Sequence, residues 1–145
     1  MFERYNDEAR RALFFARMEL SELGGNAIEP EHLILGILRA DARAILRFAK
    51  KAGETADSIR ELLSRPDPSR ARVPTSHEVQ FDADAKAALE RAAIEADDAG
   101  NSDIRPEHLL LGVMVRSSGQ TSRALQALGV DLSAVREFLK RPPPA

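Results

Sequence analysis

Two short segments set a carboxylate beside an imidazole at the head of an apolar run: Pro30-Glu31-His32-Leu33 and Pro106-Glu107-His108-Leu109. A carboxylate can pair with a planar guanidinium through two parallel hydrogen bonds. A histidine can hold a metal or move a proton near neutral pH. Helical zinc sites, however, want a second histidine four residues on, and neither segment has one. The remaining histidine, His77, lies between the two segments in a proline-rich stretch. The spacing therefore predicts no metal site, a structural histidine at each helix start, and a glutamate that steadies the first turn by roughly 0.3–1 kcal/mol. Serines and acids are too scattered to compose a hydrolytic set. No G-x-x-x-x-G-K-[ST] loop occurs, so no means of holding ATP is evident. No enzyme and no cofactor are expected.

The two segments belong to a longer echo. Ile28-Glu29-Pro30-Glu31-His32-Leu33-Ile34-Leu35-Gly36 returns 76 residues later as Ile104-Arg105-Pro106-Glu107-His108-Leu109-Leu110-Leu111-Gly112. The same offset carries Ala12, Ala16, Glu19 and Gly24 onto Ala88, Ala92, Glu95 and Gly100, and Gly53, Arg60 and Leu63 onto Gly129, Arg136 and Leu139. The chain is a tandem duplication, and a site on one copy should have a counterpart on the other. The organisation is copy one over 1–64, a connector over 65–77, copy two over 78–140, and a tail or linker start over 141–145.

Apolar residues recur with helical spacing at Ala9, Ala12, Leu13, Ala16 and Leu20, and Gly24-Gly25 ends that helix. Residues 82–99 repeat the pattern. Each signature segment starts a second helix: Pro30 and Pro106 suit the first helical position, where a missing N–H costs nothing. Ile28 and Leu33, like Ile104 and Leu109, are placed to clasp as a hydrophobic staple. Gly36 and Gly112 lie inside these helices, where glycine costs about 1 kcal/mol against alanine; its presence in both copies points to a neighbouring helix passing close by. Two shorter helices complete each copy, over 42–52 and 55–64, then 120–128 and 132–140, with Asp57, Ser58 or Ser133 near the starts of the last. No segment alternates as a strand does, so no sheet is expected. The fold class is all-α, two four-helix repeats packed as a pseudo-twofold body.

Composition narrows the function. In 145 residues, 43% are hydrophobic, 30% are charged and the formal charge is −2. Neither copy is a cationic slab, which argues against nucleic acid. No apolar run would span a membrane. With no cysteine, disulfides and thiolate sites are excluded, and a cytoplasmic location is expected.

The start Phe2-Glu3-Arg4-Tyr5, the doubled four-helix pattern and the paired Glu-His-Leu-x-Leu-Gly motifs together resemble the N-terminal domain of Clp/Hsp100 unfoldases, with the ClpC type the nearest in pattern. The resemblance runs from Met1 to about Leu139. It implies a non-catalytic module that receives adaptors and substrates for a Clp ATPase ring and its protease. It also implies that Glu31 and Glu107 hold the guanidinium of phosphorylated arginine on tagged proteins, and that the starts of the first helices take the phosphate. Threonine is usual there in the family; here stand Asn6 and Asp82. Asn6 could cap its helix and share a phosphate with backbone N–H groups, whereas Asp82 would repel a dianion. Taken within each copy, Glu31 with Asn6 makes the stronger site and Glu107 with Asp82 the weaker. Phe2, Arg10, Phe81 and Lys86 match positions lining a groove between the repeats in that family. The rival reading is a free-standing accessory protein that docks on a Clp protease core or ATPase without reading a tag.

A copy of about 60 residues is marginal as an independent fold, so the copies should unfold as one cooperative unit. Residues 1–64 expressed alone are expected to aggregate or to give poorly dispersed amide resonances; a sharply melting, monomeric single copy would contradict this.

Overall fold

A computed structural model describes residues 2–50, 53, 55–64, 74, 78–116 and 119–140. Copy one contributes α1 (Asp7–Leu23), α2 (Pro30–Ala40), α3 (Arg43–Leu46) and α4 (Ala56–Leu63); copy two contributes α5 (Ala83–Asp98), α6 (Pro106–Arg116), α7 (Gln120–Ala127) and α8 (Leu132–Lys140). The all-α, twice-repeated architecture is as the periodicity predicts. α3 is shorter than its predicted span. Near the start of α4, Thr55 and Ser58 cap it together, the Thr55 hydroxyl accepting from Ser58 N–H at 3.2 Å and the Ser58 hydroxyl accepting from Thr55 N–H at 2.8 Å. Most of the 65–77 connector and all of the 141–145 tail lie outside the described residues.

The core is organised around α2 and α6. His32 through Leu38 are all buried, which a helix shows only when neighbours surround it. Leu109, Leu110, Leu111, Val113 and Met114 are likewise buried on α6. The two internal glycines explain how the outer helices come so near. A β-carbon on Gly36 would drive into the Ala12 carbonyl and stand 2.8 Å from the Ala16 amide nitrogen; one on Gly112 would meet the Ala88 carbonyl and stand 3.1 Å from the Ala92 nitrogen. α1 on α2, and α5 on α6, therefore touch backbone to backbone, and the alanines of α1 and α5 are what permits it.

The expectation of no sheet is corrected on a small scale. β1 (Ala27–Ile28) and β2 (Gln80–Phe81) pair in parallel, Ala27 with Gln80 and Ile28 with Phe81. Tyr5 and Ile104 form an isolated parallel bridge. These are one device used twice, since Tyr5 and Phe81, and Ile28 and Ile104, are related by the repeat offset. In each case the residue before the first helix of one copy pairs with the residue before the signature helix of the other. The Asn6 N–H donates to the Ile104 carbonyl at 3.0 Å, and the Asp82 N–H to the Ile28 carbonyl at 2.9 Å. The bridges are too short for an alternating pattern to be visible in sequence.

A second seam joins the copies. Phe138 of α8 meets Phe48 edge-on, with ring centroids 5.5 Å apart, and the Arg47 guanidinium lies 4.4 Å from the Phe138 centroid.

Because the Gly36 position abuts backbone, relief there requires helices to separate. Gly36→Ala should gain about 1 kcal/mol of helix propensity and lose more to overpacking, for a net destabilisation of about 1–3 kcal/mol. Urea unfolding of the variant checks this; a stabilised variant would contradict the close approach.

Candidate functional site

The signature glutamates and the residues that start the first helices are brought together across the copies, not within them. Asn6 is the N-cap of α1, its side-chain oxygen accepting from Ala9 N–H at 2.9 Å. Its own N–H reaches the Ile104 carbonyl, which sets it beside Arg105, Pro106 and Glu107. Asp82 caps α5 in the same way, accepting from Ala85 N–H at 2.7 Å, and its N–H reaches the Ile28 carbonyl, beside Pro30 and Glu31. The pairing of Glu31 with Asn6 and of Glu107 with Asp82 is therefore corrected: the bridges exchange partners, giving Glu107 with Asn6 and Glu31 with Asp82.

The Asn6–Glu107 side forms a cleft of about 380 Å³, lined by Asn6, Glu8, Arg11, Asp41, Arg105 and Glu107 among others. Glu107 is only 5% exposed. Burial pushes its carboxyl above the usual carboxylate range, and the Arg105 and Arg47 charges only partly offset this. Arg105 lies with its guanidinium 5.6 Å from the Phe138 ring. Its Nε and Nη2 are buried and make no hydrogen bond among the described residues. Nothing in the repeat signalled Arg105, because its counterpart in copy one is Glu29.

Each signature histidine makes a bond at its helix start. His32 Nδ1 accepts from Glu29 N–H at 2.9 Å, and His108 Nδ1 accepts from Arg105 N–H at 2.9 Å. Each closes the first turn of its helix in place of a Glu or Gln capping partner. Glu29, Glu31 and His32 bring potential metal-ligating atoms within 4.8 Å of one another, and the imidazole Nδ1 makes the cap bond. Burial lowers the His108 pKa to about 4, so the ring stays neutral at physiological pH.

Of the groove residues, Phe2 and Phe81 come from opposite copies and meet edge-on at 6.3 Å; Phe2 also meets Tyr5 at 5.0 Å. Arg10 donates to the carbonyls of Phe2 and Glu3 at 3.4 and 3.2 Å, tying the chain start onto α1. Lys86 is exposed on α5.

Two buried carboxylates were visible in sequence only as repeated identities. Glu19 is fully buried and bonded by Arg39 at 3.1 Å and Arg60 at 2.5 Å. Glu95, 4% exposed, is bonded by Arg91 at 2.6 Å and Arg136 at 2.9 Å. The Arg136 guanidinium, then Arg91, hold the Glu95 carboxyl below its ordinary range against the opposing effect of burial. Arg60 and Arg136 correspond; Arg39 and Arg91 do not. Copy one draws its second arginine from α2 and stacks it 4.6 Å from the Phe15 centroid, whereas copy two draws it from the α5 position equivalent to Phe15.

The neutral His108 has a pH signature. Its pKa of about 4 lies below the ordinary value of 6.5, so the unfolded chain binds the extra proton. Its contribution is fully present above pH 6.5, is lost as pH falls toward 4, and amounts to about 3 kcal/mol. Glu107, shifted upward, works in the opposite sense. The comparison that isolates the imidazole is parent against His108→Gln, whose amide oxygen can still take the Arg105 N–H. Urea midpoints should fall less steeply in the variant between pH 6.5 and 4; equal slopes would contradict the assignment.

The comparisons with known proteins agree with this architecture. The profile of the Clp repeat (R) N-terminal domain matches residues 4–128 and 80–142. The chain is 30% identical over 136 residues to the chloroplastic chaperone protein ClpC2 of Oryza sativa, covering 94% of this chain and 15% of that protein. It is 29% identical over 141 residues to the negative regulator of genetic competence ClpC/MecB of Bacillus subtilis, covering 94% and 17%. The chain thus spans about a sixth of the length of such relatives. The N-terminal domain of the ClpD chaperone from Arabidopsis thaliana superposes with a TM-score of 0.69 at 23% identity, covering 96% of this chain and 94% of that one. The Hsp104 N-terminal domain from Candida albicans gives 0.72 at 14%, covering 94% and 89%. Relatives carry ClpA, ClpB, ClpC and ClpD names alike, so the ClpC type is not singled out. Among the described residues no helix is long and apolar enough to cross a membrane; with chloroplastic proteins among the relatives, the expected cytoplasmic location does not follow from kinship. The doubled helical fold and the matched profile converge on one conclusion: this chain belongs to the Clp repeat N-terminal domain family.

Proposed function

We propose that the domain is a recognition module that receives adaptors or tagged substrates for a Clp-type unfoldase–protease, and that it reads phosphorylated arginine in the cleft between Asn6 and Glu107. The observation that carries this reading is that a buried carboxylate, Glu107, and Arg105, whose Nε and Nη2 make no hydrogen bond among the described residues, line one cleft with Asn6 and Arg11. Phosphoarginine presents a guanidinium and a phosphate side by side. The guanidinium would restore the charge that burial disfavours on Glu107. The phosphate would take the spare Arg105 donors, with Arg11 on the rim and the α1 N-terminus nearby. At the other crossing, Asp82 sets a carboxylate where the phosphate would lie, beside Glu31. The Phe2–Phe81 contact, with Arg10 bonded to the Phe2 carbonyl, offers an apolar ledge for the flanking peptide.

Calorimetry with free phosphoarginine tests the crossed pairing. One dominant site is expected, lost in Glu107→Ala, weakened about tenfold or more in Arg105→Ala, and little changed in Glu31→Ala. Asp82→Thr should strengthen the second site by removing the repulsion. Loss in Glu31→Ala with Glu107→Ala unaffected would restore the within-copy pairing. No binding at millimolar ligand would favour the accessory reading, docking on a Clp protease core or ATPase with no tag recognised.

A further inference from the structure

The geometry points to a second binding site, in copy two alone, for the C-terminal carboxylate of a peptide ending in an aliphatic residue. A cavity of about 210 Å³ lies between α5, α6 and α8, with Leu111, Leu139 and Ala99 as its apolar walls and Arg91, Arg136 and Lys140 at its polar edge. The inference rests on the domain being a receiver of proteins; it is independent of phosphoarginine and of the Asn6–Glu107 cleft.

The chemistry of the ligand follows from how the cations are held. Arg91 and Arg136 each direct Nε and Nη2 at Glu95. A guanidinium carries five N–H donors, and Nη1 of each arginine makes no hydrogen bond among the described residues. Glu95, itself buried, thus fixes two planar donors while leaving part of each for an outside acceptor. Lys140 adds a third cation, in an exposed pairing with Glu137 at 3.3 Å. Against these three stand Glu95 and Asp98 in the lining and Glu137 on Lys140, so acids balance cations and the attraction for an anion lies in the unbonded guanidinium edges. That suits a monoanion; a phosphate dianion would meet Asp98 with less to offset it. The walls are aliphatic, with no aromatic face for a base or ring to stack on. A carboxylate joined to a small branched hydrocarbon meets both requirements, and the end of a polypeptide chain supplies that pair on one residue.

The duplication provides an internal control. At the positions of Arg91, Ala99 and Lys140, copy one carries Phe15, Leu23 and Ser64. Leu23 puts an isobutyl group where Ala99 ends in a methyl, the second arginine on Glu19 comes from Arg39 of α2 and lies over Phe15, and Lys140 has no cationic counterpart. The buried Glu and its two arginines are common to both copies and account for folding; the small wall residue and Lys140 are peculiar to copy two.

The test uses a fluorescein-labelled hexapeptide ending in leucine, as the free acid and as the C-terminal amide, with N-acetyl-leucine as the small-acid control. The free-acid peptide should bind about tenfold or more tighter than the amide, with amide-resonance shifts centred on Ala99, Leu111 and Leu139. Lys140→Ser should weaken it several-fold, and Ala99→Leu should abolish it while leaving the phosphoarginine titration unchanged. Should Ala99→Leu fail to fold, Lys140→Ser, an exposed change, still decides. Equal binding of acid and amide, shifts elsewhere on the surface, or undiminished binding in Lys140→Ser would overturn the site. Binding of N-acetyl-leucine with none of the peptide would assign the cavity to a small free acid and overturn the chain-end assignment.

Discussion

Backbone lies directly on backbone where α2 crosses α1 at Gly36 and where α6 crosses α5 at Gly112. Everything else in the molecule is arranged around those two crossings. They draw the alanine faces of α1 and α5 against the signature helices, bury α2 along its whole middle, and fix where each signature helix begins relative to the first helix of its own copy. The cost of glycine within a helix is about 1 kcal/mol, and it is offset by contact that no residue with a β-carbon could make.

That geometry alone would give two similar bundles side by side. The exchange of extended residues makes them one body with composite sites. Tyr5 reaches Ile104 and Phe81 reaches Ile28, so each first-helix cap is delivered to the other copy's glutamate. The two crossings are consequently chimeric and unequal. One combines an asparagine cap with a buried glutamate and an arginine with spare donors; the other combines an aspartate cap with a glutamate. A tandem repeat can in this way keep a symmetric scaffold while its sites diverge residue by residue.

Much of this was legible in the chain. Helical periodicity marked the outer helices, proline and the staple residues marked the signature helices, and the paired glycines marked the close crossings, because each is a local rule with a local cause. What was not legible depended on which copy faces which. A constant offset says that Asn6 corresponds to Asp82; it says nothing of whether Asn6 sits beside Glu31 or Glu107, and the deciding hydrogen bonds come from two-residue strands too short to alternate. The buried Glu19 and Glu95 were visible as identities, yet their second arginines hide from any comparison at fixed offset, since Arg39 and Arg91 occupy non-equivalent positions on different helices. Arg105 was hidden for a similar reason, its counterpart being an acid.

The reciprocity of the bridges reaches back before the duplication. Each repeat carries both complementary edges, one before its first helix and one before its second, and each edge is satisfied only by the opposite edge of another repeat. A surface that is its own complement is the defining property of a twofold interface between identical chains. The two repeats of this chain stand to each other as the subunits of such a pair, tethered in one polypeptide. Tethering turns a concentration-dependent encounter into an intramolecular one, and it frees the two subunits to differ, something an interface between products of one gene cannot do.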